Sequence, residues 1–105
     1  MPNKSDIEYI KKEYNKIRNL FLAGQYKDVI EKTKILLKKD PTQPTFYNYI
    51  ALSYSHLKKQ DIAKNFLLEG LKIHPNNPSL LVNLGSINRA TQNFSEAEKI
   101  LKKIL

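Results

Sequence analysis

The sequence predicts an all-α solenoid of three antiparallel helix pairs, about six helices in all. One observation is a repeat of about 34 residues, at which Ala63 aligns with Ala97 and Leu67 with Leu101. The other is that apolar residues recur at steps of three and four between short connections rich in glycine, proline or asparagine. Because short connections leave successive helices antiparallel, the pattern indicates stacked helical hairpins.

The first pair is predicted over residues 5–22 and 26–39. Ser5 and Glu8 have the spacing of a capping box at the start of the first helix. Gly24 is expected to end that helix, since glycine accepts a left-handed backbone conformation. The core-facing residues predicted for the first helix are Ile7, Ile10, Tyr14, Ile17, Leu20 and Phe21.

The second pair begins at Pro44, because Pro41 and Pro44 prevent the second helix from continuing. Its first helix is predicted over residues 44–57. Its second helix starts near Asp61, where a negative charge suits the helix dipole, and ends before His74 and Pro75.

The third pair has a cap signal before each helix. Asn77 is predicted to cap a helix whose first residue is Pro78. Asn93 and Glu96 have capping-box spacing before a last helix that begins at about Phe94.

Composition excludes several classes of protein. The 105 residues are 41% hydrophobic and contain no cysteine, so a disulfide framework or a thiolate metal site is not possible. No segment is apolar enough for a signal peptide or a membrane span, and we expect a soluble cytoplasmic protein. The net charge of +8 comes from scattered lysines, so neither specific nucleic-acid binding nor membrane insertion is expected.

Residues suited to catalysis are few. His56 and His74 are the only histidines, and neither has a nucleophile or carboxylate at a telling spacing. The three glycines are isolated, which argues against a phosphate-binding loop, and no spacing suggests a metal site. We therefore predict a chain that is not an enzyme, with no cofactor and no metal.

The repeat also carries the hallmarks of a known family. The second unit has these hallmark residues: Tyr47, Ile50, Ala51, Tyr54, Ala63, Leu67, Gly70 and Pro75. The third unit has Leu81, Leu84, Gly85, Ala97 and Leu101. The chain thus resembles the tetratricopeptide repeat family. The resemblance implies a right-handed solenoid and a single domain with units at about 10–43, 44–77 and 78–105, the last one truncated and uncapped. In the first unit, Glu13 and Lys16-Ile17 depart from the pattern.

The resemblance further implies a binding function. In such arrays the first helix of each unit lines a concave groove, which commonly holds an extended peptide. The implied groove residues are Tyr14, Asn15, Arg18, Asn48, Tyr49, Leu52, His56, Asn83, Ser86 and Arg89. The same helix faces carry Lys11, Thr45, Ser79 and Val82. We expect a non-catalytic scaffold for a protein or peptide partner, with asparagine amides bonding the peptide backbone and the arginines holding carboxylates.

One subclass is disfavoured. Chaperone-binding members of the family hold a C-terminal carboxylate with Lys and Asn in the first unit, Asn in the second, and Lys and Arg in the third. The corresponding residues here are Tyr14, Arg18, Tyr49, Ser79 and Asn83. None of them matches, so a heat-shock co-chaperone role is not expected.

Two alternatives stay open. In the first alternative, the chain is an N-terminal array that recruits substrate for a larger enzyme, such as a glycosyl- or sulfotransferase. Asn15 and Asn83 are similar in kind to the asparagine ladder of protein O-glycosyltransferase arrays. Alternatively, the chain self-associates through its C-terminal helix, because the last unit ends at Leu105 without a polar cap.

Overall fold

The computed structural model describes residues 3–91 and 94–104, with the side chains of residues 94–98 outside the description. Its helices are α1 (Lys4–Leu22), α2 (Tyr26–Lys39), α3 (Pro44–His56), α4 (Gln60–Ile73), α5 (Pro78–Ala90) and α6 (Phe94–Ile104). These described residues contain no strand. The body measures 44 × 27 × 19 Å, an elongation expected of hairpins stacked in a row. The predicted all-α fold with six helices is confirmed.

The start of α1 corrects the predicted cap. The cap residue is Asn3, whose Oδ1 accepts a hydrogen bond from the backbone N–H of Asp6 at 2.8 Å. Ser5 lies inside the first turn, so the predicted capping box of Ser5 and Glu8 is wrong. Ile7, predicted to face the core, is 44% exposed, because its side chain lines an open cavity between α1 and α3 and is not enclosed by their packing.

Two other local predictions are confirmed. The Asn77 side chain caps α5 by accepting a hydrogen bond at 3.0 Å from a backbone N–H of the first turn. Gly24 ends α1 with a left-handed φ of 77°, and the equivalent turn of the second pair has Lys58 at φ 65°. The predicted capping pair of Asn93 and Glu96 lies outside the described part of the chain.

Two clusters of buried apolar side chains join successive hairpins. The larger lies where α3, α4 and α5 meet and contains Tyr47, Ala51, Ala63, Leu67, Leu80, Leu84 and Ile87. The smaller joins α1 and α2 to α3 and contains Ile17, Val29, Leu36 and Phe46. Since each cluster takes residues from two neighbouring hairpins, no hairpin buries its apolar face alone.

The turn between α2 and α3 is tied to the elements around it. The Tyr47 hydroxyl donates to the carbonyl of Pro41 at 2.8 Å. The ring Nε2–H of His74, at the end of α4, donates to the carbonyl of Thr42 at 2.6 Å. These bonds hold the turn in one position relative to the next hairpin, and this gives His74 a structural contact.

The packing also buries some polar groups without partners. Within the described part of the chain, the hydroxyls of Thr33 and Ser53 and both amide atoms of Asn88 are buried and have no hydrogen-bond partner. Asn88 occupies the repeat position that holds Tyr54 in the second unit. Tyr54 stacks on Phe66 at this position of the second unit, whereas the third unit has a buried amide there.

Candidate functional site

The first helices of the three pairs, α1, α3 and α5, lie side by side and line a concave surface. Their spacing is uneven. The backbones of α3 and α5 approach each other closely, whereas α1 packs mainly on α2 and makes fewer close approaches to α3. The concave surface therefore has a closed part between α3 and α5 and an open part between α1 and α3.

A hydrogen bond between two asparagine side chains crosses the closed part. The Nδ2 of Asn83 donates to the Oδ1 of Asn48 at 2.8 Å, and both side chains are half-buried. A cavity of about 340 Å³ lies over this bond, and its lining also includes Leu52, Ser79 and Val82. Within the described residues, the remaining amide atoms, Asn48 Nδ2 and Asn83 Oδ1, have no protein partner. The pair thus presents one free donor and one free acceptor beside the cavity.

The open part consists of two adjoining cavities, which we call the α1–α3 crevice. The first cavity, about 460 Å³, is lined by Ile7, Ile10, Lys11, Tyr14, Asn15, Asp40, Gln43, Thr45 and Phe46. The second, about 430 Å³, is lined by Tyr14, Arg18, Phe21, Leu22, Thr45, Asn48, Tyr49, Leu52 and Ser79. Tyr14 and Thr45 line both cavities, so the two are continuous. The second cavity shares Asn48, Leu52 and Ser79 with the cavity between α3 and α5.

Three aromatic rings support the second cavity. The ring of Tyr49 meets the edges of Tyr14 and Phe21, with centroids 6.0 and 5.4 Å apart. Burial, and then a hydrogen bond with the Tyr14 hydroxyl, raises the pKa of Tyr49 above its ordinary value. Tyr49 therefore stays uncharged at neutral pH, and the three rings provide a largely apolar wall.

The structure brings together most of the predicted groove residues. Those that line the three cavities are Tyr14, Asn15, Arg18, Asn48, Tyr49, Leu52 and Asn83. Ser86 and Arg89 are exposed on α5 and line none of these three cavities. The ring of His56 stacks on Tyr26 at 4.4 Å and meets the edge of Phe21, so one face of it is already covered. Ligand contact by any of these residues stays a prediction.

The third helix pair matches a known protein family. A family model described as a tetratricopeptide repeat matches residues 78–105. The match falls on the third predicted unit, and the six helices stack as three hairpins of the same kind. The third helix pair is thus similar to a tetratricopeptide repeat.

Solved tetratricopeptide repeat domains have the same fold. The first such domain of Spaghetti (RPAP3), bound to an HSP90 peptide, superposes with a TM-score of 0.85 at 21% identity, covering 99% of this chain and 80% of that one. The Yersinia enterocolitica secretion chaperone SycD, in complex with a YopD peptide, gives 0.88 at 17% identity, with coverage of 97% and 78%. At these identities the likeness shows the fold alone.

A curated relative is much longer than this chain. The DnaJ homolog subfamily C member 3 homolog of Dictyostelium discoideum is 22% identical over 103 residues. The match covers 93% of this chain but only 20% of the relative. The chain therefore corresponds to about a fifth of that protein.

Several residues that line the concave surface were not predicted. Ile10 and Phe21 were assigned to the core alone, and Leu22 and Phe46 were not singled out. The departure of Glu13 from the family pattern was the available signal, since a charged residue at a packing position indicates an altered fit of α1. Glu13 forms ion pairs with Lys16 and Lys32 instead.

The crevice also contains one carboxylate, Asp40, which is 6% exposed. Its Oδ1 accepts from the backbone N–H and hydroxyl of Thr42, and its Oδ2 accepts from Gln43 Nε2 at 3.0 Å. The side-chain bond from Thr42, followed by that from Gln43, lowers the pKa of Asp40 below its ordinary value of 3.8. The carboxylate is thus charged at neutral pH and already fully bonded.

We expect Asp40 to make folding sensitive to acid. Because its pKa is lower in the folded than in the unfolded chain, its stabilising contribution is present above pH 3.8 and is lost as the pH falls through the folded pKa. Thr42→Val should raise the pKa of Asp40 and flatten the fall in unfolding free energy between about pH 5 and 2. Urea melts across this range, with the Asp40 carboxyl followed by NMR, test this. A folded-state pKa at or above 3.8 would contradict it.

Proposed function

We propose that this chain is a single-domain, non-catalytic scaffold that binds an extended segment of a protein partner in the concave groove formed by α1, α3 and α5. The observation that carries the proposal is the bonded pair of Asn48 and Asn83 at 2.8 Å. Its free donor and acceptor match the needs of one peptide unit, and its position between cavities leaves apolar surface on both sides.

The environment of the two histidines supports a non-catalytic role. His74 donates to a backbone carbonyl, and His56 is stacked against Tyr26, so each ring is used in holding the fold. Among the described residues, no group of three or more His, Asp or Glu is placed to hold a metal ion. The alternative of an array attached to a larger enzyme stays a prediction, as does self-association through α6.

Similar domains named as peptide complexes also support the proposal. The Spaghetti (RPAP3) domain is bound to an HSP90 peptide and SycD to a YopD peptide. By analogy, we propose that the same concave side of this chain receives its partner. A grip on a free C-terminal carboxylate is not part of the proposal, because Tyr14, Ser79 and Asn83 lack the positive charges of such a clamp.

The proposed location is the cytoplasm, as expected from the sequence. In the part of the chain that is described, no helix combines the length and apolarity needed to cross a bilayer. A fluorescent fusion of the full-length protein would test the compartment directly.

Binding can be tested by NMR with a pool of N-acetylated, C-amidated octapeptides of random sequence. We expect the pool to shift the side-chain amide resonances of Asn48 and Asn83 and to leave those of Asn19 and Asn65 in place, since the latter two are exposed and line none of the three cavities. Asn48→Ala with Asn83→Ala should weaken binding by about tenfold, because the variant removes two hydrogen bonds to the peptide.

The matched control is Asn19→Ala with Asn65→Ala, which removes the same two amides from exposed helical positions. It should bind the pool like the parent chain. Shifts confined to α2 and α4, or equal binding by both double variants, would contradict the proposal.

A further inference from the structure

We propose that the α1–α3 crevice selects a peptide segment in which a bulky apolar side chain lies between two acidic residues. This inference rests on the proposed function and names the chemistry of its ligand. It assigns the selection to the open part of the groove and leaves the bonded asparagines to hold the peptide backbone.

The size and the lining of the crevice support the preference for a bulky apolar side chain. Its two cavities, about 460 and 430 Å³, are each large enough for a large side chain and are continuous past Tyr14 and Thr45. Ile10 and Phe46 form apolar wall in the first cavity, and Leu52 does so in the second. The close approach of α3 and α5 leaves a smaller cavity, about 340 Å³, on the other side.

The charges of the crevice support the preference for acidic residues in the peptide. Lys11 lines the first cavity and Arg18 the second, and both side chains are exposed. Within the described residues, neither of these cations takes part in an ion pair. Asp40, the one carboxylate in the lining, has both oxygens bonded to Thr42 and Gln43. Asp40 keeps its negative charge, so the crevice lining carries two cations against one carboxylate, in a chain of net charge +8.

The positions of the two cations set the spacing of the acidic residues. Lys11 and Arg18 are two turns apart on one face of α1, which is about 10 Å along the helix axis. A peptide in the extended polyproline II conformation advances about 3.1 Å per residue with about three residues per turn, so carboxylates three positions apart lie on the same side, about 9 Å from each other. Tyr14 and Thr45 lie between the cations, at the point where the apolar side chain would enter.

The probe is an N-acetylated, C-amidated octapeptide with Glu-Leu-Phe-Glu at its centre, labelled for fluorescence anisotropy. Capping removes the terminal carboxylate, so a C-terminal clamp cannot contribute. We expect the probe to bind at least about tenfold more tightly than versions with Gln-Leu-Phe-Gln or Glu-Ala-Ala-Glu. Equal binding of the three peptides would overturn the inference.

Variants of the protein test which crevice residues cause these peptide preferences. Lys11→Gln with Arg18→Gln should abolish the preference for glutamate over glutamine in the peptide. Lys12→Gln with Lys38→Gln removes the same charge from exposed positions outside the crevice lining and should keep the preference. Thr45→Tyr, which fills the junction of the two cavities, should abolish the preference for Leu-Phe over Ala-Ala. Circular dichroism checks that each variant is folded.

The outcomes separate this inference from the proposed function. If peptides shift the Asn48 and Asn83 amides but show no acidic or apolar preference, only the inference fails. If no capped peptide binds at all, the proposed function fails with it. If sedimentation shows a dimer whose formation protects the crevice, the occupant is a second copy of the chain and the inference is also overturned.

Discussion

Replacing Leu67 by alanine should lower the free energy of unfolding by about 2–5 kcal/mol. The Leu67 side chain is 0% exposed and lies in the larger core cluster, in which α3, α4 and α5 all take part. Its loss would leave a cavity at the junction of two hairpins, where neither hairpin can close the gap without moving relative to the other. Urea denaturation followed by circular dichroism measures the effect.

Leu68→Ala is the matched control for this prediction. Leu68 is the next residue of the same helix and is 39% exposed, so its truncation removes the same atoms from a wetter site. We expect a loss of less than about 1 kcal/mol. Similar losses in the two variants would show that α4 presents a different face to the core.

Gly70→Val should destabilise the fold by about 1–3 kcal/mol. A Cβ built on Gly70 would lie 3.0 Å from Cβ and Cγ of Tyr47 and 3.2 Å from Leu80 Cδ1. The Tyr47 Cβ is attached directly to the backbone of α3, so relief requires α3 and α4 to separate. The glycine is thus the residue that lets these two helices approach closely.

Gly85→Ala should raise the free energy of unfolding, whereas Gly70→Val lowers it. A Cβ at Gly85 would meet Leu101 at 3.7 Å, an ordinary van der Waals distance. The equivalent position of the second unit already holds Ala51, which is 0% exposed. Because alanine is the better helix former, we expect a gain of about 0.5–1 kcal/mol, measured by the same urea melts. A loss of stability at Gly85, or a gain at Gly70, would contradict the packing described for these helices.

Local chemistry explains why the helices could be predicted from the sequence. The bounds of α2 agree with the prediction, and α3 is one residue shorter than predicted, because prolines and glycines act on their own backbone wherever they occur. The cap of α1 was harder to predict, since Asn3 and Ser5 are both good capping residues. The choice between them depends on where the helix begins to pack, which short-range patterns do not contain.

The candidate site could be predicted only in part. The helix faces that line the groove follow from the repeat, and seven of the ten predicted residues line its cavities. Which asparagine side chains are hydrogen-bonded to each other inside the groove does not follow from the repeat. The sequence suggested a ladder through Asn15 and Asn83, but Asn83 is bonded to Asn48, while Asn15 lies in the first cavity of the crevice.

The sequence by itself determined the number of helices, their ends to within a residue or two, and the hairpin units, since periodicity, capping residues and turn residues all act over a few positions. Only the tertiary structure decided how far α1 lies from α3, which amides meet, and which cations line an open crevice. These features depend on how side chains distant along the chain fill the space between helices. The contact of Gly70 with Tyr47 illustrates this for α3 and α4: both residues stand out in the sequence, but the distance between them is set by how the two helices pack.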